Sequence, residues 1–342
     1  MDSTMILVSI VILVALAFDF VNGFHDAANS IATVVATRVL SPRMAVLWAA
    51  GFNFIAAFSV GTGVANTVGA GLIDLKYVTP LVILAGLVGA ITWDLITWWS
   101  GLPSSSSHAL IGGYAGAGIA RAAHLRGIDR SFDVLIAGAW IKTLAFIVIA
   151  PLIGMALAYS LMIGMYWMFR RAHPAKVDPY FRKIQLASSA LLSFSHGAND
   201  AQKTAGVITG VLLTSGKLTK FEVPPWVILA AYSAISLGTL SGGWRIVHTM
   251  GSRLTRLRPR SGVCAETAAA ISILFATSMS LPISTTHVVA GSIAGVGAIQ
   301  RLKAVRWGLA TNIMWAWVFT IPASALVGWG TMECIQFFST GK

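Results

Sequence analysis

Residues 101–118 read GLPSSSSHALIGGYAGAG, and residues 280–297 read SLPISTTHVVAGSIAGVG. The two stretches share Leu-Pro, a serine, a histidine, and then Gly, Ala, Gly and Gly at matching positions. A second pair stands upstream: GFHDAA at 23–28 and GANDAQ at 197–202. Both pairs occur in the same order at similar spacing, which is the mark of an internal duplication. The halves are 1–168 and 185–342, joined by a basic linker, 169–184, that contains RRAHPAKVDPYFRK.

The duplication belongs in lipid. Of the 342 residues, 56% are hydrophobic and 11% charged, and the mean hydropathy is +0.77. A globular domain carries about a quarter charged residues. This composition excludes a soluble enzyme and a disordered chain. Only helices and closed barrels span a bilayer, and apolar runs this long are helices. A crossing takes about 20 residues, so the chain has room for roughly ten to twelve crossings or half-crossings. The first run, 5–37, is interrupted by NGFHDAANS, and the runs 78–120 and 262–299 each break at a Pro-Ser-rich point. A break at membrane depth is tolerated only where protein buries it or where it lines a wet cavity.

Charge gives an orientation. With the linker inside, the inner loops hold fifteen of the 24 Lys and Arg residues and the outer loops seven, Lys342 among them. Loop 300–306, with Arg301, Lys303 and Arg306, is an inner one. This bias follows the positive-inside pattern, and it accounts for the net charge of +12 without a nucleic-acid partner. Both termini then face outside, 78–120 re-enters from outside, and 262–299 re-enters from inside. The expected fold is an all-α polytopic membrane protein of two inverted-topology repeats with broken helices and two re-entrant hairpins, an architecture of secondary transporters. The N-terminal MDSTMILVSIVILVALAFDF lacks a positive n-region and is read as the first membrane helix. Cys264 and Cys334 have no metal-ligand spacing and form no disulfide framework.

Carboxylates in apolar runs cost at least ~3 kcal/mol each and mark ion paths or substrate sites. Asp26 and Asp200 occupy the same place in the repeated motif; Asp19, Asp94 and Glu266 have no repeat partner. Glu266 is either a coupling-ion or proton site or the partner of a nearby arginine. In helical register Asp26, Asn29 and Ser30 share a face, as do Asp200, Lys203 and Thr204. The glycine before each aspartate permits local unwinding, and an unwound turn offers carbonyls to a hard cation. The tips Pro103–His108 and Pro282–His287 each open a following half-helix. Ser and Thr cap helix N-termini, and such an end is an anion site. One capping residue explains one hydroxyl per helix, not the runs Ser104–Ser107 and Ser284–Thr286. His108 and His287 could contact the anion, carry a proton or satisfy a carbonyl. No H-E-x-x-H motif or nucleophile–base spacing suggests an enzyme.

These motifs, across both halves, resemble the PiT family of inorganic phosphate transporters, the bacterial low-affinity members above all. The resemblance implies a homodimer in the plasma membrane (the bacterial inner membrane) that transports phosphate with sodium or protons and holds no other cofactor. It implies that Asp26, Asn29, Asn199 and Asp200 form cation sites, for sodium if sodium is the coupling ion. It implies that Ser105, Ser106, Ser107, Ser284, Thr285 and Thr286 form the phosphate site, assisted by Gln202 and Lys203. His25 departs from the pattern: many relatives read Ala-Asn where this chain has Phe24-His25. A titratable imidazole there keeps proton coupling beside sodium coupling. The family includes sulfate permeases, so a sulfate or metal-phosphate carrier is the same-class alternative. An anion channel on the same broken helices is the alternative of another class.

Overall fold

A computed structural model describes residues 3–59, 61–300 and 305–340. Arg301, Lys303 and Lys342 of the charge count, and the two chain ends, lie outside the described residues. The first half comprises α1 (Ser3–His25), α2 (Ala27–Ala36), α3 (Pro42–Ile55), α4 (Gly63–Ala70), α5 (Pro80–Ser100), α6 (Ser106–Arg126) and α7 (Ala137–Met168). The second comprises α8 (Pro174–Thr214), α9 (Pro225–Ser241), α10 (Trp244–His248), α11 (Pro259–Ser278), α12 (Thr285–Gln300) and α13 (Trp307–Thr340). The element order repeats. A long first helix carries the aspartate motif, a bent pair follows, two arms make a hairpin, and a long helix with an internal proline (Pro151, Pro322) closes each half.

Among the described residues, five helices are long and apolar enough to cross a membrane, or seven if each bent pair is one span. The flanks of α7 and α13 expose Ile141, Leu144, Val148, Phe319, Leu326 and Phe338. The centre instead buries Asp19, Asp26, Asp94, Asp200, Lys203 and Glu266. Apolar outside and ionisable inside is the distribution a bilayer imposes.

Two differences from the sequence reading concern helix breaks. Besides the expected breaks, bends appear at the pair 42–58 and 63–69 (88°) and at the pair 225–241 and 244–253 (63°). Gly61 and Gly63 flank the first; Gly242, at φ +67°, and Gly243 make the second. Conversely, α8 runs unbroken through Ser195–Thr204, so the second aspartate motif is not unwound. Only the first breaks, at Asp26. The glycines serve packing instead. A Cβ on Gly23 would collide with the backbone of Ile235, and one on Gly197 would lie 2.6 Å from the Asn53 carbonyl.

The linker is helical from Pro174, a position where proline costs a helix nothing. Asp178 pairs with Arg260 at 3.0 Å, tying the start of α8 to α11. The first hairpin spans 80–126, ending beyond residue 120.

The hairpins are exchanged between halves. Arm α6 packs on α13, and arm α12 packs on α7. Gly112 and Gly116 lie against the backbone of Ile321 and Ala325; their repeat counterparts Gly291 and Gly295 lie against that of Pro151 and Met155. Small residues four apart let membrane helices approach closely. The shared glycines of the repeat therefore seat each hairpin against the other half and bring the two tips together.

Candidate functional site

Each tip is built the same way. The first arm ends in a left-handed residue, Gly101 (φ 66°) in one copy and Ser280 (φ 59°) in the other. The chain then crosses Pro103 or Pro282 and enters the second arm. Ser105 accepts from the His108 N–H at 3.2 Å, and Ser284 accepts from the His287 N–H at 3.2 Å. These two serines are N-caps. The following pairs, Ser106–Ser107 and Thr285–Thr286, lie on the first turns of α6 and α12, where main-chain N–H groups have no intrahelical acceptor.

The two N-termini converge. Ser106 donates to Asp26 Oδ1 at 3.3 Å and Thr286 to Asp26 Oδ2 at 3.1 Å, so one carboxylate takes a hydroxyl from each hairpin. Thr285 donates to Asp200 Oδ2 at 3.0 Å. Asn29 donates to Thr285 at 3.2 Å and to Thr286 at 3.0 Å. Lys203 donates to Asp200 Oδ1 at 2.5 Å, to Ser107 Oγ at 2.5 Å and to the Ile283 carbonyl at 2.8 Å. His25 Nδ1 meets Asp26 Oδ1 at 2.7 Å, and its Nε2 meets Thr97 Oγ1 at 3.0 Å. Behind the tips the His108 and His287 rings meet edge-on, centroids 4.7 Å apart, and His287 stacks on Trp317 at 3.8 Å.

Asp26, Asn29, Asp200, Lys203, His25 and the Ser106–Ser107 and Thr285–Thr286 pairs thus share one buried cluster. Other expected residues do different work. Asn199 donates to Thr277 at 2.9 Å and to the Leu281 carbonyl at 3.2 Å, holding the end of α11, while its own buried carbonyl has no partner. Gln202 accepts from the Val64 N–H at 3.0 Å and donates to the Ala198 carbonyl, so its amide supports the start of α4. Among the described residues Glu266 has no arginine partner. It accepts from Thr33 at 2.6 Å, from Gln185 at 2.8 Å and from Ser188.

Sequence reasoning missed His196. One ligand atom from each of Asp26, His196 and Asp200 lies within 4.8 Å of the others. His196 stands four residues before Asp200, hence on the same helix face, and that spacing was the available signal. Asp94, fully buried, lies within electrostatic reach of His25 and Asp26.

A cleft of about 300 Å³ reaches the second tip from the surface, lined among others by Thr67, Lys142, Thr143, Ser280 and Pro282. Its exposed cation, Lys142, is the only other lysine that the sequence places within an apolar run.

Oxygen ligands from two carboxylates suit hard cations, and two helix N-termini with hydroxyls suit an anion. The arrangement can hold both at once. A profile described as "Phosphate transporter family" matches residues 22–177 and 169–328. The chain belongs to the phosphate transporter family. It is a transport protein, not an enzyme. A Rhizobium meliloti protein described as "Probable low-affinity inorganic phosphate transporter" is 53% identical, over 96% of each chain. A Bacillus subtilis protein with the same description is 44% identical, over 96% of this chain and 97% of that one. A solved structure described as "The sodium-dependent phosphate transporter" superimposes with a TM-score of 0.86 over 97% of this chain and 99% of that one. At 24% identity, that likeness concerns the fold.

Proposed function

We propose that this chain is a secondary active transporter that carries inorganic phosphate across the plasma membrane by cation-coupled symport. One observation carries the reading: hydroxyls from both hairpin tips converge on the carboxylates of Asp26 and Asp200. Those hydroxyls are donors that a phosphate needs, and the aspartates hold them. A cation bound to Asp26 draws the carboxylate lone pairs toward itself and frees Ser106 and Thr286 for the anion. Without it, the Asp26 carboxylate and a multiply charged phosphate repel each other in a medium of low dielectric. Anion and cation therefore bind together. The helix N-termini of α6 and α12 add partial positive charge at the same point.

In this reading Asp26, Asn29 and His25 serve the mobile cation, which is sodium or a proton; in the second motif, expected to do the same, Asp200 is paired with Lys203 and Asn199 braces the end of α11. Ser106, Ser107, Thr285 and Thr286 hold the phosphate, Ser105 and Ser284 fix their orientation, and Gln202 acts from behind through α4. Glu266, caged by three donors, is a second position for the same coupling cation on its way to or from Asp26. The halves 1–168 and 185–342 are inverted repeats in a homodimer, with the basic linker in the cytoplasm and both termini outside; the charge count supports that orientation.

The test is uptake of labelled phosphate by proteoliposomes under an imposed sodium or proton gradient. Saturable uptake driven by one of the two gradients, competed by arsenate and not by sulfate, is expected. Uptake indifferent to both gradients, or single-channel currents, contradicts the proposal.

A further inference from the structure

The duplication places Asn29 and Lys203 in register, each three residues after its aspartate. They reach the hairpin of the opposite half in the same way. Asn29 extends from the first half to Thr285 and Thr286, and Lys203 extends from the second half to Ser107. The two positions differ in charge. Asn29 is neutral and leaves Asp26 with hydroxyls and the His25 imidazole. Lys203 puts an ammonium 2.5 Å from Asp200 Oδ1, and it is 2% exposed.

An ammonium has three N–H donors. Here they meet one carboxylate oxygen, one hydroxyl and one main-chain carbonyl: Asp200, Ser107 and Ile283. Carboxylate, hydroxyl and carbonyl oxygens are the ligand types that a small hard cation gathers. We propose that Lys203 is a built-in cation: its ammonium occupies the position that a free coupling ion would take beside Asp200, so this pair of aspartates needs one mobile cation, at Asp26, where the twofold repeat would otherwise need two. A tethered cation neutralises Asp200 throughout the cycle and never leaves with the cargo. Half of the duplicated site is thereby fixed, and coupling rests on the other half.

This inference rests on the symport reading above. Its test compares wild type, Lys203→Asn and Lys203→Met in proteoliposomes, with phosphate uptake followed against the driving cation. Sodium is the probe for binding, read as the shift in unfolding temperature of purified protein. Wild-type uptake is expected to be first order in the driving cation. Lys203→Asn, which copies Asn29, should acquire a sodium dependence of one further order and a larger sodium-induced thermal shift than wild type. Lys203→Met fills the volume without charge and should gain neither. Second-order dependence in the wild type overturns the inference, and it decides the matter should Lys203→Asn fail to fold. So does a Lys203→Asn protein with a raised phosphate KM at unchanged cation order, which would make Lys203 an anion contact. So does one that binds sodium no better than wild type. Wild-type uptake that ignores every cation gradient removes the symport reading itself, a distinguishable result.

Discussion

The two aspartate motifs match in sequence but stand in different surroundings. At Asp26 the helix breaks, the carboxylate takes a hydroxyl from each hairpin, and the residue three positions on is a neutral asparagine. At Asp200 the helix is continuous and the carboxylate is locked to Lys203. A duplicated framework thus supplies one adaptable half-site and one rigid one. Both hairpin tips keep a proline, a run of hydroxyl residues and a histidine, so each presents hydroxyls at an open helix end. On the proposed mechanism, the aspartate segments differ because only Asp26 exchanges its partner for a mobile cation.

Breaking the comparison at the aspartates has the largest expected effect. Asp26→Asn and Asp200→Asn should both abolish phosphate uptake, yet they should differ in stability. Asp200→Asn leaves the Lys203 ammonium buried without a counter-charge, which costs on the order of 3–5 kcal/mol. Asp26→Asn removes the partner of an imidazole that can shed its proton, not of a permanent cation, and should be destabilised less. Thermal unfolding of both variants in detergent, beside uptake, checks this; equal destabilisation would mean that the two motifs are not differentiated.

At the tips the expected effect is intermediate and symmetric. Ser106→Ala and Thr285→Ala occupy equivalent positions, and a hydrogen bond to a charged group contributes about 1.5–3 kcal/mol. Each should weaken phosphate binding by about tenfold or more at that energy, and equilibrium binding of labelled phosphate measures it. A loss confined to one tip would show that a single hairpin holds the anion.

The smallest effect sharpens the comparison of the turns. Gly101 and Ser280 share a left-handed backbone. Gly101→Ala should cost about 1–2 kcal/mol, whereas Ser280→Gly, relieving strain against added unfolded-state freedom, should change stability by less than about 1 kcal/mol. Unfolding temperatures read both, and uptake by Ser280→Gly should be unchanged.

Much of this was legible in the sequence because membranes restrict the choices. Apolar runs had to be helices, and polar residues repeated inside them had to share a site. The aspartates, the hydroxyl runs and the hairpins could therefore be read from residue type and register. Side-chain destinations could not. Gln202 and Asn199 stand in the motif, but the approach of α4 and the end of α11 claim their amides. Glycines 23 and 197 suggested unwinding, and only the neighbouring helices reveal that they permit close packing. The exchange of hairpins between halves was also hidden, since Gly112, Gly116, Gly291 and Gly295 do not name the helix they touch. His196 carried a signal in its four-residue spacing from Asp200, but only the approach of Asp26, at the start of α2, shows that the pair belongs to a cluster.

Anomalous scattering from arsenate, in crystals of the protein grown with the coupling cation, locates the anion most directly. The arsenic peak is predicted between the N-termini of α6 and α12, within hydrogen-bonding distance of Ser106, Ser107, Thr285 and Thr286. A peak elsewhere, with both tips still bonded to Asp26 and Asp200, would contradict the account.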